Sequence, residues 1–177
     1  DGREVLLFRL FQLARAIELP TARPDDIALV WEAMGKHVLP MLHGLYASPN
    51  AQASFFSART GLRLEDSLAV EPMLKIAQQA DSPSQLAAIY ELGQARRFVQ
   101  VVPALRTLLS DTNELVRVAA YEALEAHGSA GTRALGARVR ELTAGGRGGG
   151  VVRSSARRGL AAAVDETTAC VVLQQPN

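Results

Sequence analysis

The chain has 177 residues, of which 48% are hydrophobic and only 5% aromatic, with 19 basic and 18 acidic side chains. That is enough Ala, Leu and Val to bury a core of closely packed elements, and the lone Cys170 excludes an internal disulfide framework. The charge is unevenly placed: residues 1–128 hold 12 basic and 15 acidic groups and residues 129–177 hold 7 and 3, so the body lacks the cationic field that argues for a nucleic-acid partner.

In VLLFRLFQLARAIEL (5–19) the apolar residues crowd one side, with Arg9, Gln12 and Arg15 recurring every three residues, which predicts an amphipathic helix ended by Pro20. The two arginines interrupt it as a membrane span, and no small-residue cleavage site makes it a signal peptide. Pro24 and Asp25 ahead of an apolar run, with Gly35 after it, predict a second helix over 25–34. From Val38 the pattern becomes periodic. Val-x-Pro-x-Leu occurs at 38–42, 70–74 and 101–105, at nearly even spacing, which is the signature of a repeat array. Proline is tolerated in a first helical turn because its missing N–H would have no intrahelical partner there.

Each such helix is followed by a polar turn, SPN (48–50), DSPS (81–84) or SDTNE (110–114), that supplies a cap for a second helix. The second helices align Gln52 with Gln85 and Arg117, and Phe56 with Ile89 and Tyr121. Helix pairs are therefore expected near 38–60, 66–95 and 98–127. In the clearest copy, Val116, Ala119, Ala120, Ala123 and Leu124 form one apolar stripe at helical spacing.

The stretch VVPALRTLLSDTNELVRVAAYEALEAHG (101–128) resembles a HEAT-like repeat of the short bacterial type in its Val-Pro-x-Leu opening, Asp111 of the turn, the Val-Arg ending at Arg117, and its Ala-Ala pair. Residues 69–95 resemble it more loosely and 38–61 more loosely still. The resemblance implies an all-α fold, a right-handed α-α superhelix of about three repeats behind N-terminal helices. It also implies a surface used for binding, with no catalytic residues and no cofactor, and a structural ladder in which Asp111 and Arg117 tie turn to helix.

The domain reading is 1–36 N-terminal helices, 37–128 repeats, 129–143 a degenerate partial repeat, and 144–177 a low-complexity tail with five glycines in 145–150. Poor order is expected there. Arg, Gly, Ala, Ser and Val are also what an out-of-frame GC-rich reading produces, and that alternative stays open. The chain opens on Asp1, so a segment of a longer protein is an expectation kept beside a complete module.

Candidates for chemistry are few. His37, His43 and His127 lie in no metal-binding spacing, and GGRGGG lacks the Lys-Ser/Thr ending of a phosphate loop. Glu65, Asp66 and Glu71 cluster at a helix start, where capping accounts for them. Two sets are candidate partner-binding residues. His43, Lys75 and Arg106 fall five residues after each repeat's first Val and would form a basic row, for which a solvated face is the plainer reading. Phe56, Ile89 and Tyr121 are either core or the lining of a groove for a partner helix. The favoured function is non-enzymatic binding of another protein. The alternatives are an accessory of a lyase-type enzyme and, from ASFFSARTGLRLEDSLAV (53–70), a faint resemblance to the helical extension of flagellar P-ring-type proteins, which would place the chain in the cell envelope. HEAT-like repeats also occur in alkylpurine DNA glycosylases, but Trp31 stands without an aromatic companion and the body is net acidic.

Overall fold

The computed structural model describes residues 23–80 and 82–145, together with residues 5, 8, 9, 12, 16–19 and 21. All regular structure among the described residues is helical, in agreement with the all-α pattern. Cα proximity divides the backbone into two compact units, residues 1–84 and 85–177. The boundary falls in the turn inside the segment 66–95. Of the tail expected over 144–177, residues 146–177 lie outside the described residues, as do most of 5–19 and Asp81, while 144 and 145 close the last described helix.

In the first unit, α1 (Pro24–Met34) opens on its proline with Asp25 and Asp26 in the first turn, where carboxylates favour the positive end of the helix dipole. It buries Ala28 and Trp31 completely. A single 3-10 turn, Gly35–Val38, leads into α2 (Leu39–Leu45), which carries Pro40 near its start and buries Leu42 and Leu45. The next helix, α3 (Ala51–Arg63), is capped by Asn50, whose Oδ1 accepts from the N–H groups of Gln52 and Ala53 at 3.0 and 3.1 Å. A second 3-10 turn, Ser67–Ala69, precedes α4 (Val70–Gln78), which buries Val70, Met73 and Ala77.

Packing explains the composition of α3. Since α1, α2 and α4 all lie against it, no single stripe suffices, and Ala53, Phe55, Ser57, Ala58, Thr60, Gly61 and Leu62 are all buried. Fully buried Leu42 and Met73 contribute about 1.5–3 kcal/mol each on the transfer scale.

The second unit begins with α5 (Gln85–Gln94), then a 3-10 turn, Val99–Val101, and α6 (Val102–Leu108) with Pro103 near its start. Asn113 caps α7 (Glu114–Ala126), its Oδ1 accepting from Leu115 N–H at 3.0 Å. The last described helix is α8 (Ser129–Gly145). Here α7 is the centre, packed by α5, α6 and α8, with α6 also against α8. Of the predicted stripe, Val116, Ala120, Ala123 and Leu124 are buried and Ala119 is half-buried. The small residues matter for distance. A Cβ on Gly93 of α5 would stand 2.8 Å from Ala123 Cα and 2.9 Å from its Cβ, so the two helices touch nearly backbone to backbone, and only Gly against Ala permits it.

Candidate functional site

The three residues of the expected basic row all sit on first helices, and each already faces an acid. His43 on α2 holds Asp66 through Nε2···Oδ2 at 2.9 Å. Lys75 on α4 lies 3.8 Å from Glu71 one turn earlier, both exposed. Arg106 on α6 pairs with Glu141 of α8. The row's positive charge is therefore largely spent on neighbours.

The aligned second-helix positions hold three different situations. Ile89 is wholly buried in the second unit. Phe56 is half-buried on α3, edge-on to Phe55 at 5.1 Å between centroids and covered by the Arg59 guanidinium at 4.5 Å. Tyr121 is half-buried on α7 and its hydroxyl donates to Glu125 Oε1 at 2.8 Å.

Asp111 and Arg117 are tied through the backbone. The Arg117 Nη1 donates to the carbonyl oxygens of Asp111 at 2.9 Å and Thr112 at 3.0 Å, which fastens the turn to α7. The Asp111 carboxylate instead accepts from Asn113 N–H at 2.8 Å, fixing the turn that presents the cap.

The densest polar cluster of the first unit is one the sequence does not announce. Asp66 receives the Tyr46 hydroxyl at 2.7 Å and His43 on the same oxygen, while its other oxygen accepts from Leu68 N–H at 3.1 Å. Burial alone would raise the Asp66 carboxyl, but the bonds from Tyr46, Leu68 and His43, with the positive charge available on His43, outweigh it and hold the group below the usual carboxylate range. Burial first, then the bond to Asp66 and its negative charge, push the Tyr46 hydroxyl well above its ordinary value. A residue with any Cβ cannot replace Gly61 in this arrangement, because that atom would lie 2.2 Å from the Tyr46 hydroxyl oxygen and 2.7 Å from Ala69 Cβ. The cluster is a strap from α2 to the turn before α4. The capping reading of Asp66 is only half of its work, and a partner 23 residues away leaves no periodic trace.

Two further ion pairs join α1 to α3: Arg59 to Asp25 and Arg63 to Glu32, both at 3.0 Å. In the second unit, buried His127 meets the Leu92 carbonyl through Nε2 at 2.9 Å, linking the ends of α7 and α5. Among the described residues no group of three or more His, Cys, Asp or Glu side chains could hold a metal ion. None of the described helices is long and apolar enough to cross a membrane.

Exposed apolar side chains occur in both units: Leu29 and Val30 on α1 and Leu68 before α4 in the first, and Val99 and a group on the second helices in the second. Leu86 and Tyr90 on α5 are 40% and 60% accessible and Leu115 on α7 is 62% accessible, beside neighbours that are fully buried.

Residues 70–161 match the profile of the family described as HEAT repeats. No curated protein matches the chain. Nothing in the family match supports the flagellar resemblance of residues 53–70. The matched stretch is more than half of the chain and contains α4 through α8, and the chain belongs to the HEAT repeat family.

Proposed function

We propose that this chain is a non-enzymatic scaffold that binds another protein. The observation that carries the reading is the exposure of Leu86 and Tyr90 on α5 and Leu115 on α7, in a repeat whose polar side chains are otherwise used to hold helices and turns together. Large apolar side chains exposed side by side are uncommon on a monomer without a partner. Stacked helix pairs expose a continuous set of such positions, one from each repeat. The polar clusters support the same reading: His43, Asp66 and Tyr46 strap α2 to a turn, and Arg117 fastens another, so their chemistry is accounted for by structure.

The test is co-elution. The purified full chain, mixed with the soluble and detergent-extracted proteome of its source and separated by size, should carry a defined protein with it at fixed stoichiometry over repeated runs. Elution alone under every condition would contradict the proposal.

A further inference from the structure

We infer that the joined outer faces of α5 and α7 receive a basic amphipathic helix from the partner; the inference rests on the scaffold reading and names the chemistry of what it binds. The two helices are equivalent members of successive repeats, aligned by Gln85 with Arg117 and Ile89 with Tyr121. In that register Leu86 corresponds to Val118 and Tyr90 to Glu122. The helices lie side by side, close enough that Gly93 meets the Ala123 backbone. Their outward residues therefore adjoin on one surface, with Leu86, Tyr90 and Leu115 as its exposed apolar groups.

The exposed charges carried by these two helices have one sign. The only charged residue of α5 is Glu91, which is buried. On α7, Glu114, Glu122 and Glu125 are exposed, and the single cation of the two helices, Arg117, is turned to the carbonyls of Asp111 and Thr112. An apolar strip edged by glutamates fits a helix that presents apolar residues at i, i+4 and i+7 with Lys or Arg beside them. A second copy of the same face is disfavoured, since it would set glutamates against glutamates. An acidic peptide or a phosphate backbone meets the same repulsion.

The experiment uses the full chain and two labelled peptides of about 18 residues, roughly five helical turns, with the same leucine pattern and either lysine or glutamate at the polar positions. Fluorescence anisotropy should show saturable binding of the lysine peptide and none of the glutamate peptide. Affinity should fall roughly tenfold for Tyr90→Ala, an aromatic anchor, and by a similar factor for Glu122→Lys. Raising the salt from about 50 to about 300 mM should weaken binding to the wild type more than to Glu122→Lys. All of these positions are exposed, so each variant is first confirmed folded by its helical circular dichroism. Equal binding of both peptides, or affinity unmoved by Tyr90→Ala and Glu122→Lys, overturns the inference. So does a dimer in light scattering that Tyr90→Ala abolishes, because the face would then be covered by a second copy. A photo-crosslinking amino acid in place of Tyr90 separates this failure from failure of the scaffold reading. If the co-eluting protein is captured but crosslinks only from other surfaces, the scaffold stands and this site falls.

Discussion

Long-range polar bonds join helices in both units, and the second unit adds a nearly backbone-to-backbone approach of two helices. In residues 1–84, Arg59 reaches Asp25, Arg63 reaches Glu32, and Tyr46 and His43 converge on Asp66. In residues 85–177 the α5 and α7 backbones touch at Gly93 and Ala123, the apolar stripe of α7 is buried among three helices, and the turn is fastened through carbonyl oxygens. The second arrangement depends on small residues at fixed spacing, which is why a repeat pattern is readable there. The first depends on individual pairs that each copy could acquire separately. A repeat array can keep one helix-pair plan while changing what joins the pairs.

Buried charge should break the second unit most severely. Leu105 and Ala120 have no exposed surface, and Leu105→Asp or Ala120→Asp would bury an unpaired carboxylate at a cost of about 3–5 kcal/mol, a large fraction of the ~5–15 kcal/mol that holds a domain together. Loss of the cooperative melt in circular dichroism is expected for either, and an unchanged melt would refute the core described for α6 and α7.

Overpacking comes next and compares the two units directly. Gly93→Ala forces a methyl into the Ala123 backbone, whereas Gly61→Ala drives one into the Tyr46 hydroxyl. Both should cost about 1–3 kcal/mol. Replacing Tyr46 by Phe as well removes the clashing oxygen, so Tyr46→Phe should recover part of the Gly61→Ala loss and none of the Gly93→Ala loss, as read from urea midpoints.

Tyr46→Phe alone removes a bond from a half-buried carboxylate and should cost about 1–2 kcal/mol. Its pH dependence sharpens the comparison. The folded Asp66 titrates lower than in the unfolded chain, so its contribution is present above the usual carboxylate value of about 4 and is lost as pH falls through its lower folded value. The folded Tyr46 titrates higher, so its contribution is present below the unfolded value of about 10 and fades as pH rises beyond it. Urea unfolding followed by fluorescence of Trp31, the single tryptophan and fully buried in the first unit, should show both slopes, and Tyr46→Phe should flatten them. Arg63→Ala should matter least, about 0–1 kcal/mol, because the pair with Glu32 is solvent-exposed on the arginine side.

The repeat plan was legible because it is local. Val-x-Pro-x-Leu marks α2, α4 and α6 within a residue or two, and Asn50 and Asn113 stand as caps where the polar turns predict them. The 3-10 turns that lead into these helices have no comparable signature, since the choice between the two windings is made by packing. Tyr46, His43 and Asp66 were unreadable as a cluster because nothing at helical spacing joins them. The spacing of His127 from other ligand-type residues says nothing of its bond to the Leu92 carbonyl, which follows from how α7 meets α5. The family match runs to residue 161, past the start of the expected tail at 144. Within that extension Val152, Arg153, Ala156, Gly159 and Leu160 echo Val116, Arg117, Ala120, Ala123 and Leu124 at an offset of 36 residues. The glycine run at 145–150 and the longer offset set this echo outside the nearly even spacing of the three Val-x-Pro-x-Leu segments.

The proposed binding face lies on the second unit alone, and one measurement weighs that difference. Tyr90 of the second unit and Leu68 of the first are exposed to about the same degree, 60% and 58%, yet only Tyr90 belongs to the glutamate-edged face of α5 and α7. The co-elution experiment is repeated with Tyr90→Asp and Leu68→Asp, both with wild-type helical content. Tyr90→Asp is expected to lose the co-eluting protein while Leu68→Asp keeps it; retention by Tyr90→Asp with loss by Leu68→Asp would place the binding surface elsewhere and contradict a site on α5 and α7.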